Sequence, residues 1–469
     1  MAFAEFVLRR PLQALRRDEL RGVFDPWLAG ATLLLAAFGL IMVASSSIAV
    51  AEGMSVGPFH YVIRHVVFLG LGAMLAAFLM AVPLDYWQRR ARVLLFAAFL
   101  LLLLVFVPGV GRRVNGATRW INLGVSNFQV VEAVKLLLIA YLASYLVRFR
   151  HQVRTELLGL LKPLGITAAM VGLLLMQPDF GSAVLLLVIA TGMVWLGGAR
   201  LRHLLLPCAL GVPALVYLAT TESYRLRRLT SFLDPWQDPF NDGFQLTQAL
   251  IAIGRGAWTG VGLGASVQKL FYLPEAHTDF ILAVIAEELG LFGVVLVLVL
   301  FAFLCGRLFV LGLRAIDRGL AFGGYCLFGI ALWLGAQSLV SIGVNLGVLP
   351  TKGLTLPLIS SGGSSLMMTV AALGLALRVS FELARREAEL AVSLHGVPQQ
   401  DIYRGPLVAR EQSPGAATRN WIPAFAGMTK TESSLKERHE PALQDSRHSR
   451  ESGNPVTSVL PPHSREAPA

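Results

Sequence analysis

Residues Leu273–Arg307 read LPEAHTDFILAVIAEELGLFGVVLVLVLFAFLCGR. The second half, from Leu289 to Gly306, is uncharged and dominated by Leu, Val and Phe, the composition of a helix that crosses a bilayer. The first half carries Glu275, His277, Asp279, Glu287 and Glu288, and ionisable groups at such a position are costly and mark function. Working outward, comparable apolar runs recur at 27–50, 61–82, 92–108, 130–148, 162–176, 179–197, 202–220, 320–346 and 363–384, with the segment just quoted spanning 279–305. The chain is 55% hydrophobic and 15% charged, with a mean hydropathy of +0.63. These features predict an all-α integral membrane protein of about ten transmembrane helices, since solid Leu/Val/Ala blocks lack the alternation of a barrel strand.

Charge sets the orientation. Lys+Arg 40 against Asp+Glu 29 gives a net charge of +11, which in a polytopic protein anchors loops to anionic lipid and is no sign of nucleic-acid binding. Arg9 to Arg21, Arg89/Arg90/Arg92, Arg148/Arg150/Arg154, Arg200/Arg202, Arg307/Arg314 and Arg385/Arg386 fall at alternate boundaries, so both termini are expected to be cytoplasmic. Residues 1–26 form a cytoplasmic, interfacial N-terminal segment, 27–390 the membrane domain, and 391–469 a cytoplasmic tail whose composition is that of a disordered chain. Trp27 to Ala44 is longer than a signal-peptide core, which makes it an uncleaved first span. The tail pieces RNWIPAFAGMTK and HSRESGNP resemble translated copies of a repeat common between bacterial genes. Cys208, Cys305 and Cys326 lie in apolar segments without ligand spacing and read as packing residues.

Against that orientation, Arg112, Arg113, Arg119, Arg225, Arg227, Arg228 and Lys352 fall in outer loops, where the topological bias disfavours cations and an anionic ligand would explain them. The longest outer loop, 221–278, contains Phe244 to Leu263, whose apolar and glycine residues suit a short helix at the membrane surface. Asp279 at the outer mouth is either a catalytic carboxylate or, with Thr278, a helix N-cap; His277 and Asp279 alone are a weak metal pair. Glu132 and Lys135, at i and i+3, can neutralise one another inside a span. Lys352 precedes the Gly-Gly-Ser-Ser start of the last helix, where backbone N–H groups with Ser364 and Ser365 can receive phosphate, although close packing explains the glycines equally well. Asp179 starts a helix and is given no role. No P-loop or dinucleotide fingerprint is present, so any chemistry draws on an already activated substrate.

The motifs VNGATRWINLG, QPDFGSA, RLTSFLDPWQDPFNDGFQLTQALIAIGRGAWTGVGLG, LPEAHTDFILAVIAEELG and LPTKGLTLPLISSGGSS together resemble the SEDS family (shape, elongation, division and sporulation), over Trp27 to about Leu390. SVQKLFYLPEAHTDFI is closer to the cell-division branch than to the elongation branch. The resemblance implies a peptidoglycan glycosyltransferase that polymerises lipid II, an undecaprenyl-pyrophosphate-linked disaccharide peptide, at the outer face of the bacterial cytoplasmic membrane. It also implies a class B penicillin-binding protein and other division proteins as partners at the septum, Asp279 as the essential aspartate, and Arg119, Glu132, Lys135 and Lys352 as cavity charges. His277, Ser364 and Ser365 join these as candidate substrate contacts, and a divalent cation, Mg²⁺ or Mn²⁺, is expected to be held partly by Asp279. Two departures from the family pattern stand out: Val130-Val131 replaces a Pro-Ser ahead of Glu132, and Ser361 replaces a tyrosine. The rival readings are a flippase of lipid-linked precursor, which would use the same polar groups, the elongation-type polymerase, and a non-catalytic scaffold.

Overall fold

The computed structural model describes residues 24–395 except 115, 123, 125, 222–229, 242, 271 and 352. Its helices are α1 (Pro26–Gly53), α2 (His60–Ala81), the short α3 (Leu84–Arg89), α4 (Ala91–Leu104), α5 (Val130–Arg148), the short α6 (Arg150–Thr155), α7 (Leu157–Met176), α8 (Phe180–Leu196), α9 (Leu201–Thr221), α10 (Phe244–Gly256), α11 (Ile281–Asp317), α12 (Ala321–Asn345) and α13 (Gly363–His395). All of the predicted spans fall on helices. Seven of these, α1, α2, α5, α7, α11, α12 and α13, are long and apolar enough to cross a membrane, while α4, α8 and the start of α9 are shorter apolar helices. Residues 1–23 of the expected N-terminal segment, most of the tail, and Arg225, Arg227, Arg228 and Lys352 lie outside the described residues.

Helix ends follow local chemistry more closely than hydropathy does. Pro26 sits at the first turn of α1, and the Asp25 carboxylate caps it by accepting the Leu28 N–H at 2.7 Å. Arg307 of α11 grips the same carboxylate from the other side with Nε at 3.0 and 3.1 Å, and the Ser380 hydroxyl of α13 accepts the Asp25 N–H at 3.2 Å. Burial alone would raise the Asp25 pKa, but Arg307 and the Leu28 N–H hold it below the ordinary carboxylate value. Thus α1, α11 and α13 are pinned together at one end. There α11 runs past the predicted boundary at 305 to Asp317, because the helix stops only where Gly319 takes a φ of 82°.

Two segments expected as outer loops are structured. Residues 109–129 form an antiparallel sheet of β1 (Gly111–Val114), β2 (Ala117–Asn122) and β3 (Asn127–Gln129) in the order β1-β2-β3, with Trp120 opposite both Arg112 and Gln129. The strand β3 runs straight into α5, whose cap residue Gln129 makes no side-chain cap bond. The sheet therefore sets the start of α5, where the absent proline would otherwise have favoured it. In the larger loop, α10 buries Leu246, Ala249 and Ala252. The segment after it folds onto α11 and is not a loose linker.

The predicted uninterrupted span at 279–305 is corrected at Gly290, whose φ of 66° and ψ of −160° break the helix. The backbone groups released there are taken up by the chain after α10: Leu291 N–H donates to Ala257 O at 2.9 Å, and the carbonyls of Glu287 and Glu288 accept from Val261 and Gly262, each at 3.0 Å. Such repair is required where water is scarce. A side chain at Gly290 would collide with this strap, since its Cβ would lie 2.4 Å from the Gly260 nitrogen. Helices α5 and α12 are the most enclosed among the longer ones, along with α13, whereas most of α2 faces outward.

Candidate functional site

Asp279 and Thr278 do not cap α11. The cap residue is Phe280 without a side-chain bond, and the Thr278 hydroxyl turns to Glu275. Capping comes from another helix: Asn345, the last residue of α12 and fully buried, accepts the Ala283 N–H at 3.1 Å. Its amide nitrogen donates to the Asp279 carbonyl at 2.9 Å and to the Ser341 carbonyl at 2.8 Å. This arrangement relieves Asp279 of the capping task and fixes its backbone. The Asp279 carboxylate is directed to Gly353, where an added Cβ would stand 3.1 Å from Oδ2.

Gly353, itself exposed, begins a segment, 353–363, that is buried from Leu356 to Ser360 and connects the expected site residues. Leu356 N–H donates to the Ser360 hydroxyl at 2.8 Å, and Leu358 is held at a φ of 64°, a left-handed conformation that costs a non-glycine residue about 1–3 kcal/mol and needs a tightly determined surrounding. Ser361 N–H donates to the His277 carbonyl at 3.0 Å, so the residue that replaces the family's tyrosine contributes through its backbone. The His277 ring lies against Tyr61 with centroids 4.5 Å apart. Burial lowers the His277 pKa; Glu275 opposes this and Arg64 adds to it, leaving a net value below the ordinary 6.5 and the ring neutral at pH 7. Ser364 and Ser365 open α13 and are buried, and the Ser365 hydroxyl has no hydrogen-bond partner among the described residues.

The same segment reaches a second group of charges. Lys135 meets Glu132 at 2.8 Å, with both side chains almost wholly buried. Lys135 also donates to Gln337 at 2.8 Å, and Gln337 donates to the Thr355 carbonyl at 2.9 Å. Arg119, on β2, is drawn to the turn between α7 and α8: its Nε donates to the Gln177 carbonyl at 3.3 Å, another nitrogen bonds the Pro178 carbonyl, and it faces Asp179 at 3.9 Å. Asp179 also accepts the Ser182 N–H at 3.3 Å and acts electrostatically on Lys135. Glu132 and Lys135 are thus brought together, and segment 353–363 links them to His277 and Asp279, while Arg119 is held at the Gln177–Asp179 turn. Lys352, the chain neighbour of Gly353, is not among the described residues.

Glu287 and Glu288 serve a different purpose. Glu287 accepts from Arg255 at 3.0 Å, from the Val267 and Gln268 N–H groups at 3.1 and 3.3 Å, and from the Ser266 hydroxyl. Glu288 accepts from Lys269 at 2.7 Å and from the Ser45 hydroxyl at 2.7 and 2.8 Å. Both are fully buried and bind the strap to α11 and α1. Sequence reading overlooked Arg64, Asn345, Gln337 and the partnership of Asp179 with Arg119. An amide inside an apolar run was the available signal for Asn345 and Gln337, which lie eight residues apart on α12.

Among the described residues no group of three or more His, Cys, Asp and Glu side chains could hold a metal. That donor set does not suit a cation ligated by protein alone. It does suit Mg²⁺, which keeps several waters and is commonly bound by one carboxylate together with substrate phosphates.

A helical, multi-pass membrane protein with a carboxylate pinned at one mouth and a buried charge network behind it is the class these observations define. The chain belongs to the FtsW/RodA/SpoVE family of cell cycle proteins, whose sequence profile matches residues 26–385. It is 57% identical to a probable peptidoglycan glycosyltransferase FtsW of Xanthomonas oryzae pv. oryzae, over 80% of this chain and 76% of that one. It is 50% identical to the protein of the same name from Coxiella burnetii, over 78% and 99%. Among solved structures it is similar to a chain from a peptidoglycan synthase complex, described for its structural coordination of polymerization and crosslinking, with a TM-score of 0.63 and 35% identity over 77% of this chain and 98% of that chain. The Thermus thermophilus rod shape determining protein RodA gives a TM-score of 0.56 at 32% identity, over 76% and 96%.

Proposed function

We infer that the protein is a peptidoglycan glycosyltransferase of the FtsW type, which polymerises lipid II at the outer face of the cytoplasmic membrane during septal synthesis. The observation that carries the mechanism is the Asp279 carboxylate, relieved of capping by Asn345 and aimed at segment 353–363. An acceptor-sugar hydroxyl attacks the anomeric carbon of the donor. The new C–O bond forms as the bond to pyrophosphate breaks, Asp279 takes the hydroxyl proton, and undecaprenyl pyrophosphate departs. Pyrophosphate is a good leaving group once its charge is balanced, so one carboxylate suffices where glycoside hydrolysis requires two. A single displacement inverts the anomeric centre.

Lys352, next to Gly353 in the sequence, and the one-third-exposed Arg119 are the cations that would balance the leaving group, with Ser364, Ser365 and His277 as further substrate contacts. Asp279 is the residue that would help hold a divalent cation, Mg²⁺ or Mn²⁺, whose chemistry there would be to offset charge on the leaving group. The ten-span topology with both termini cytoplasmic, and a class B penicillin-binding protein as the crosslinking partner, complete the proposal. The names its relatives carry, and its likeness to a chain from a peptidoglycan synthase complex, support it.

The test is labelled lipid II in liposomes, with the protein alone and with its class B partner, at graded Mg²⁺ and Mn²⁺. Wild type makes glycan polymer, and Asp279→Asn, reconstituted to the same level, makes none. Lipid II that crosses the bilayer without being polymerised by the complex sinks this reading in favour of a flippase.

A further inference from the structure

Two almost fully buried side chains, Lys135 and Trp333, meet at the amide of the equally buried Gln337, and their chemistry fixes its orientation. The Lys135 ammonium and the Trp333 indole N–H can only donate, and both reach the same Gln337 oxygen at 2.8 Å. The amide nitrogen must therefore point the other way, where it donates to the Thr355 carbonyl at 2.9 Å. Lys135 also lies over the Trp333 ring, 4.5 Å from its centroid, and against Glu132 at 2.8 Å. Oxygen and nitrogen of the Gln337 amide are both in use, and reversing the amide would set its nitrogen against two donors and its oxygen against a carbonyl.

The far end of this chain of bonds is the site. Thr355 lies two residues beyond Gly353, whose backbone faces the Asp279 carboxylate, and three beyond Lys352. Eight residues further along α12, Asn345 holds the other side of the site through the Asp279 carbonyl. One rigid, enclosed helix therefore grips both segments that must stay in register, one through each amide.

We propose that Gln337 is a positioning residue: it transfers the fixed position of the Glu132–Lys135 pair to segment 353–363 and so sets where that segment stands relative to Asp279. Gln337 touches no reacting atom. It acts through Thr355, and its loss lets the segment drift from the productive geometry. The proposal rests on the glycosyltransferase reading above.

The experiment compares wild type, Gln337→Glu and Gln337→Met in the liposome polymerisation assay with the class B partner, with kcat and KM for lipid II measured separately and thermal midpoints taken for each protein. Gln337→Glu keeps oxygen for Lys135 and Trp333 and, in its ionised form, replaces the N–H that holds Thr355 with a second acceptor, adding one negative charge beside the Glu132–Lys135 pair. Both variants should lose about 10–100-fold in kcat, the scale of a misplacement near 1 Å, while KM stays within about twofold because ground-state binding is untouched. A folded Gln337→Glu protein with wild-type kcat overturns the proposal, since a merely structural role in seating Lys135 and Trp333 would survive that change. If Gln337→Met does not fold, Gln337→Glu decides alone. Wild type without polymer sinks the glycosyltransferase reading and this proposal with it, whereas active wild type beside equally active Gln337→Glu sinks this proposal only.

Discussion

Asp279 and the Glu287/Glu288 pair occupy the same stretch, within ten residues of one another, and both are carboxylates near the N-terminal end of α11. Their surroundings are opposite. Glu287 and Glu288 are wholly enclosed and ringed by donors from the strap, α1 and Arg255, so their charge is consumed in holding the break at Gly290 together. Asp279 has its backbone clamped by Asn345, its capping duty removed, and its carboxylate turned to the segment that begins α13. An intramembrane carboxylate is thus a sign either of chemistry or of architecture, and its burial and surroundings decide which.

The sharpest break between the two is Asp279→Asn. Polymerisation should fall by about 100-fold or more, the contribution of a general base, with the thermal midpoint unchanged; wild-type polymer length from this variant would place Asp279 among the structural carboxylates. The reverse pattern is expected of Glu287→Ala, which leaves the buried Ser266 hydroxyl and Gln268 N–H without their acceptor and opens the strap, at about 1–3 kcal/mol for each unsatisfied group. Its thermal midpoint should fall sharply, and a stable variant with normal activity would show the network to be dispensable. Asn345→Ala stands between the two, losing the cap of α11 at about 1 kcal/mol together with part of the rate. Equal stability and equal rate would mean that α11 needs no cap from α12. Ser45→Ala should be milder, about 1 kcal/mol, because Glu288 keeps Lys269.

The smallest effect concerns pH. The folded protein holds His277 below its ordinary 6.5, so as pH falls past that value the unfolded chain takes the proton first and the folded state loses stability. Between pH 7 and pH 5 the thermal midpoint of wild type should drop more than that of His277→Gln. Parallel curves would show that His277 titrates alike in both states.

Most of the helices were legible as runs of apolar residues, because the bilayer demands length and apolarity from each segment separately. The Glu132–Lys135 pair was legible for a related reason, since i and i+3 neighbours are settled by helix geometry alone. The sheet at 111–129 and the strap over Gly290 were not, because strand pairing and backbone repair depend on partners that no local pattern announces.

From the sequence alone came the membrane class, the resemblance to the family, and Asp279 as the residue to test. Only the tertiary structure decided that Asn345 caps α11 in place of Asp279, that Arg119 binds the turn at Asp179, and that Gln337 ties Lys135 to Thr355. The physical reason is range. Hydropathy and helical spacing act over a few turns of one chain segment, whereas a hydrogen bond between α12 and a residue on another segment exists only after both have been packed within about 3 Å of each other.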